Sequence, residues 1–137
     1  MKRLLLAYGN TLRGDDGAAW ELARRAAKLP WERLCVIQLT PKLADTLKDF
    51  DEVEFADATH EPGPLGWQLL QGEEDQEWST HVAEPRHLLG LCESLYGKVP
   101  KAWILTIPGE DFGYRLGLSE FSQAGVAQGL KLLKALP

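Results

Sequence analysis

Five short apolar runs, each followed by a loop or a segment of helical periodicity, constrain this chain more than any other feature. The runs cover residues 2–8, 33–39, 52–56, 67–70 and 101–107. Each has strand length, and the first is apolar enough to be buried on both faces of a sheet. Between them the period changes. Ala19, Leu22, Ala23 and Ala26 share one face of a helix expected over 16–28, which Pro30 ends. Thr40 and Pro41 read as N-cap and first residue of a short helix with Leu43, Ala44 and Leu47 inward. A third helix is expected over 85–96, with Leu88, Leu91, Cys92 and Leu95 inward and Gly97 as its cap. Ser119 caps a last helix that turns Val126, Leu130 and Leu133 to the core.

Alternation of this kind predicts a three-layer α/β/α domain around a mostly parallel sheet. The loop between the third and fourth runs, with Pro62, Gly63, Pro64 and Gly66, has no room for a crossover helix. The fourth strand is therefore expected to be antiparallel to the third or paired elsewhere. At 137 residues and 45% hydrophobic content, one domain over 1–137 with a real core is expected.

Composition removes several function classes. The net charge is −5, with acidic and basic residues interspersed, so nucleic acid is not an expected partner. No run is long enough to span a bilayer, and no membrane partner is expected. The start, Met1-Lys2-Arg3 and a brief apolar run, suits a first strand better than a targeting segment. Cys35 and Cys92 read as reduced, buried small residues, which fits a cytoplasmic protein.

The candidate chemistry begins in the turn after the first strand, Gly9-Asn10-Thr11-Leu12-Arg13-Gly14-Asp15-Asp16-Gly17. Capping the following helix needs one carboxylate, and Asp15 is the expected cap. Asp16 is then spare. A phosphate-binding loop is a poor reading: Gly14 lacks the following Lys-Ser/Thr, and two carboxylates repel phosphate. In open parallel sheets ligands bind beyond the carboxyl ends of the strands. Asp16 and Asp57, at the end of the third strand, would converge there. Two carboxylates and an imidazole would make a divalent-metal site. His81, before the third helix, and His60, three residues past Asp57, both compete for the third position. His87 reads as a surface residue of that helix.

The pattern Gly9-Asn10-x-Leu12-x-x-Asp15-Asp16-Gly17 resembles the N-terminal signature of the hydrogenase maturation proteases. The likeness extends to Phe55-Ala56-Asp57-Ala58, Ser79-Thr80-His81 and Thr106-Ile107-Pro108-Gly109-Glu110, in order along nearly the whole chain. The resemblance implies a five-stranded mixed sheet of order 2-1-3-5-4 with strand 4 antiparallel. It implies an endopeptidase that trims the C-terminal extension of a nickel–iron hydrogenase large-subunit precursor once nickel is in place. It also implies a ligand set of Asp16, Asp57 and His81 for nickel supplied by the substrate, with zinc or cadmium as substitutes, and Asp16 and Asp57 as catalytic residues. Gly9, Asn10 and Thr40 are the expected substrate contacts. Two departures stand out: Ala19 replaces a Gly frequent in the family, and Gln38-Leu39-Thr40-Pro41 replaces a glycine-rich turn. Two other readings remain at this point. One is a nickel-dependent module that binds the immature subunit without cutting it, and the other is a generic α/β small-molecule binder.

Overall fold

The computed structural model describes residues 1–61, 66–70 and 84–136. The elements run β1 (Arg3–Tyr8), a 3-10 turn (Gly14–Gly17), α1 (Ala18–Arg25), β2 (Glu32–Val36), α2 (Leu43–Leu47) and β3 (Glu52–Thr59). They continue as β4 (Gly66–Leu70), α3 (Pro85–Tyr96), β5 (Lys101–Pro108) and α4 (Glu120–Ala135). The five strands form one sheet of order β2-β1-β3-β5-β4. β1 pairs in parallel with β2 and β3, β3 with β5, and β4 runs antiparallel to β5.

Strand alternation sorts the apolar side chains into two layers. Leu4, Leu6, Tyr8, Val53 and Phe55 join Leu88, Leu89 and Cys92 of α3 and Leu47 of α2 on one face. Leu5, Ala7, Ala56 and Leu105 join Leu22 of α1 and Val126 and Leu133 of α4 on the other. Burying each Leu or Phe side chain contributes about 1.5–3 kcal/mol, so these two layers carry most of the driving force.

Several boundaries differ from the sequence expectation. The first helix opens as a 3-10 turn and ends at Arg25 rather than at residue 28. β2 stops at Val36, leaving Ile37 exposed while Leu39 turns back into the core. Thr40 does not cap α2 with its side chain. Its carbonyl instead accepts from Leu43 N–H at 3.1 Å, and the helix begins two residues later than a Thr40 cap requires. β3 runs past Asp57 to Thr59, because β5 continues to pair with it as far as Pro108. In α3 the inward stripe is Leu88, Leu89 and Cys92, and Leu95 is 60% exposed. The stripe is rotated from the expected one because α3 packs on α2 as well as on the sheet, and this brings His87 inward, only 8% exposed. Gly97 caps α3 in the left-handed conformation, φ +66°, and Ser119 caps α4 by accepting from Ser122 N–H, both as expected. Cys35 is half-buried rather than buried; Cys92 is buried, and both are free thiols. Residues 71–83, with the Ser79-Thr80-His81 motif, lie outside the described residues.

Candidate active site

At the carboxyl end of β1 the chain must turn sharply, and Gly9 makes this possible. Its φ is +146°, and a Cβ there would lie 2.1 Å from the Asp16 carbonyl oxygen. Only glycine lets the two backbone segments come this close. The approach sets up the next contact: the Asn10 N–H donates to Asp16 Oδ2 at 2.7 Å, while Asn10 Oδ1 accepts from Leu12 N–H at 2.9 Å. Gly9 and Asn10 thus hold the Asp16 carboxylate at the mouth of the β1 loop.

Asp57 approaches from β3. β1 and β3 are in register, with Ala7 beside Ala56, and β1 ends one residue later. Asp57 therefore sits where β1 support ends and β5 support continues, beside Thr106. Burial and then the like charge of Asp16 push the Asp57 carboxyl up to about 7, against a backbone N–H and the Tyr8 hydroxyl that favour its ionised form. Near neutral pH the Asp57 carboxyl is divided between its protonated and ionised forms.

Asp15 does different work from the capping expected of it. It is fully buried and makes no cap to its own helix. Its Oδ2 accepts from the N–H groups of Glu110 and Asp111 at 2.9 and 3.0 Å and from the Ser119 hydroxyl at 2.7 Å, and its Oδ1 accepts from Ser119 N–H at 2.7 Å. Burial by itself would raise its pKa, but the four donors together hold it below the ordinary carboxylate value. The adjacent aspartates are thus divided: Asp15 anchors the loop after β5, and Asp16 is held instead by the Asn10 N–H. That loop is also held by Gly109 N–H donating to Thr59 C=O at 3.0 Å, and by His60 stacked on Phe112 with ring centroids 3.7 Å apart.

His81 lies outside the described residues. Among the described residues, no three His, Cys, Asp or Glu side chains converge as a metal-ligand set. Neither His60, stacked on Phe112, nor the inward-facing His87 therefore completes one with Asp16 and Asp57. The thiols offer no alternative nucleophile, because burial pushes both Cys35 and Cys92 up from the ordinary thiol value. A cavity of about 570 Å³ lies beside α1, lined in part by Thr11, Trp20, Arg33, Cys35 and Leu118, and not over the carboxylates. Tyr8, whose hydroxyl faces Asp57, was not among the residues expected at the site. The available signal was its place in the Leu4, Leu6, Tyr8 alternation beside Val53, Phe55 and Asp57.

Fold and site together define a three-layer α/β domain whose paired carboxylates stand at the carboxyl edge of a mixed sheet. No family model matches the chain, and no curated relative does. Solved structures do match over nearly its full length. The [NiFe] hydrogenase maturation protease HybD from Thermococcus kodakarensis aligns with a TM-score of 0.73 at 25% identity, covering 98% of this chain and 97% of that one. The hydrogenase maturating endopeptidase HybD from E. coli gives 0.72 at 19% identity, covering 97% and 90%. The maturation protease HycI from Thermococcus kodakarensis gives 0.70 at 19% identity, covering 96% and 89%. The chain thus shares its fold, over nearly its whole length, with hydrogenase maturation proteases.

Proposed function

We propose that the protein is an endopeptidase that removes the C-terminal extension of a nickel–iron hydrogenase large-subunit precursor after nickel insertion. The observation that carries this reading is the charge coupling of Asp16, in the 3-10 turn after β1, with Asp57, on β3, on a fold shared with maturation proteases over nearly the whole chain. In this proposal nickel arrives as part of the substrate. Asp16, Asp57 and His81 offer it an incomplete set of two carboxylates and one imidazole, a donor chemistry that suits nickel and also accepts zinc or cadmium. A precursor without metal would lack the ion that binds it productively, so recognition and maturation state are linked. Gly9, Asn10 and Thr40 line the approach as contacts for the substrate backbone. Asp16 and Asp57 also take the catalytic role: once ionised they orient the metal-bound scissile group, and the pair can accept a proton from the attacking water. Among the described residues no helix is long and apolar enough to cross a membrane, and we place the reaction in the cytoplasm with the precursor as partner.

The test is to mix purified protein with nickel-loaded precursor and weigh the product. Loss of the tail mass is the expected result. A stable complex with no mass loss would replace the protease by a nickel-dependent binding module.

A further inference from the structure

Tyr8 is the last residue of β1 and lies buried in the layer shared with α2 and α3. Its strand alternates Leu4, Leu6, Tyr8 on that face, and the parallel neighbour β3 alternates Val53, Phe55, Asp57. Since Ala7 pairs with Ala56, the next step along both strands sets Tyr8 beside Asp57. On that shared face the phenol hydroxyl lies within interaction range of the Asp57 carboxylate, and Glu84, the residue before α3, adds a second negative charge nearby. The neutral phenol donates to the Asp57 carboxylate in its ionised form.

A core tyrosine of purely structural use is a poor explanation. Phenylalanine would fill the same space without burying a hydroxyl, and an unpaired buried hydroxyl costs about 1–3 kcal/mol. The hydroxyl earns its place by what it does to its partner. Asp57 already takes a hydrogen bond from the Ala58 N–H. A second donor from the adjacent strand fixes the carboxylate rotamer and leaves its remaining lone pairs for other groups.

We infer that Tyr8 is a positioning residue for the reaction: its hydroxyl holds the Asp57 carboxylate in the orientation that meets the substrate. The consequence for catalysis rests on the protease reading above; the orientation of Asp57 does not.

Tyr8→Phe keeps the ring and removes the hydroxyl. The first measurement needs no substrate or metal: the three-bond Hα–Hβ couplings of Asp57 by NMR. The wild type is expected to show a single rotamer and Tyr8→Phe an averaged one, with the thermal midpoint little changed. Identical couplings in both proteins overturn the inference. The second measurement is kcat/KM on nickel-loaded precursor, expected to fall about 10–100-fold. An unchanged value alongside averaged couplings overturns the catalytic consequence. A wild type that leaves the precursor uncut sinks the protease reading instead, while the couplings still decide the role of Tyr8. Should Tyr8→Phe fail to fold, the wild-type Tyr8 hydroxyl proton answers the question. A bond to Asp57 makes it visible as a slowly exchanging resonance close to the Asp57 Hβ protons, and its absence overturns the inference.

Discussion

The Ser119 hydroxyl donates to the Asp15 carboxylate at 2.7 Å and at the same time accepts from Ser122 N–H at 3.1 Å. One side chain thus ties the turn after β1 to the start of α4, and the Glu110 and Asp111 N–H groups close the loop between on the same carboxylate. Asp15→Ala leaves these donors unpaired in the interior and is expected to cost about 3–5 kcal/mol, read by urea unfolding. The pH dependence follows from the lowered folded pKa. The stabilisation is complete above the ordinary carboxylate range and is lost as the pH falls through the folded value. Wild type and Asp15→Ala should therefore converge in acid; parallel curves down to the lowest pH would show that the network contributes little.

Gly9→Ala puts a methyl group 2.1 Å from the Asp16 carbonyl in a backbone conformation that L-residues avoid. Either the fold is lost or the turn moves, and with the turn moves the Asn10 N–H that holds Asp16. A drop in stability of about 2 kcal/mol or more, together with loss of processing, is expected from calorimetry and the cleavage assay. Wild-type behaviour in both would mean that neither stability nor processing depends on the Gly9 turn.

Glu54 is fully buried on the α1 and α4 face of the sheet, between Leu5 and Trp103, and neither oxygen has a hydrogen-bond partner among the described residues. Burial, then the Glu52 charge, raises its pKa from 4.5 to about 8. The raised folded value makes stability greatest below the unfolded pKa and progressively lower up to about pH 8. At pH 7 the loss is on the order of 3 kcal/mol. Glu54→Leu should remove that dependence and stabilise the protein at pH 8 much more than at pH 5 in chemical denaturation. Equal effects at both values would place the carboxylate in a more solvated site.

Asp57 gives the reaction itself a pH signature. With its carboxyl near 7, nickel ligation by both carboxylates requires the ionised form, so precursor processing should rise between about pH 6 and 8. A fall over the same range would favour a water activated by a carboxylate pair sharing one proton. Asp16→Asn removes the neighbouring charge and should lower the Asp57 midpoint, followed through its carboxyl carbon by NMR.

The histidines separate by variant. Asp57→Ala and His81→Ala should abolish tail removal while circular dichroism shows an intact fold. His60→Ala should keep most activity, and its loss there would favour a set of Asp57, His60 and His81. His87→Ala is expected to retain the chemistry as well, but at some cost in stability, because the side chain faces inward.

Most strand runs and two of the caps are local properties, legible from residue order alone; the Thr40 and Asp15 caps and the inward stripe of α3 were overridden by tertiary packing. The apolar runs at 2–8 and 101–107, the Gly97 and Ser119 caps, and the missing crossover before β4 all follow from nearest-neighbour sterics and hydrogen bonding. Sheet order came only through the resemblance, because no local rule says which strands become neighbours. The roles of the two adjacent aspartates were a tertiary decision. Residue order makes Asp15 the expected cap and leaves Asp16 spare; only folding brings Glu110, Asp111 and Ser119 onto Asp15 and the Asp16 charge near Asp57. The same holds for Tyr8, His87 and Glu54. Whether a phenol finds a carboxylate, or an imidazole or a carboxyl is taken out of water, depends on which surface arrives from elsewhere in the chain. Burial and electrostatic coupling act through space, between groups that the sequence separates.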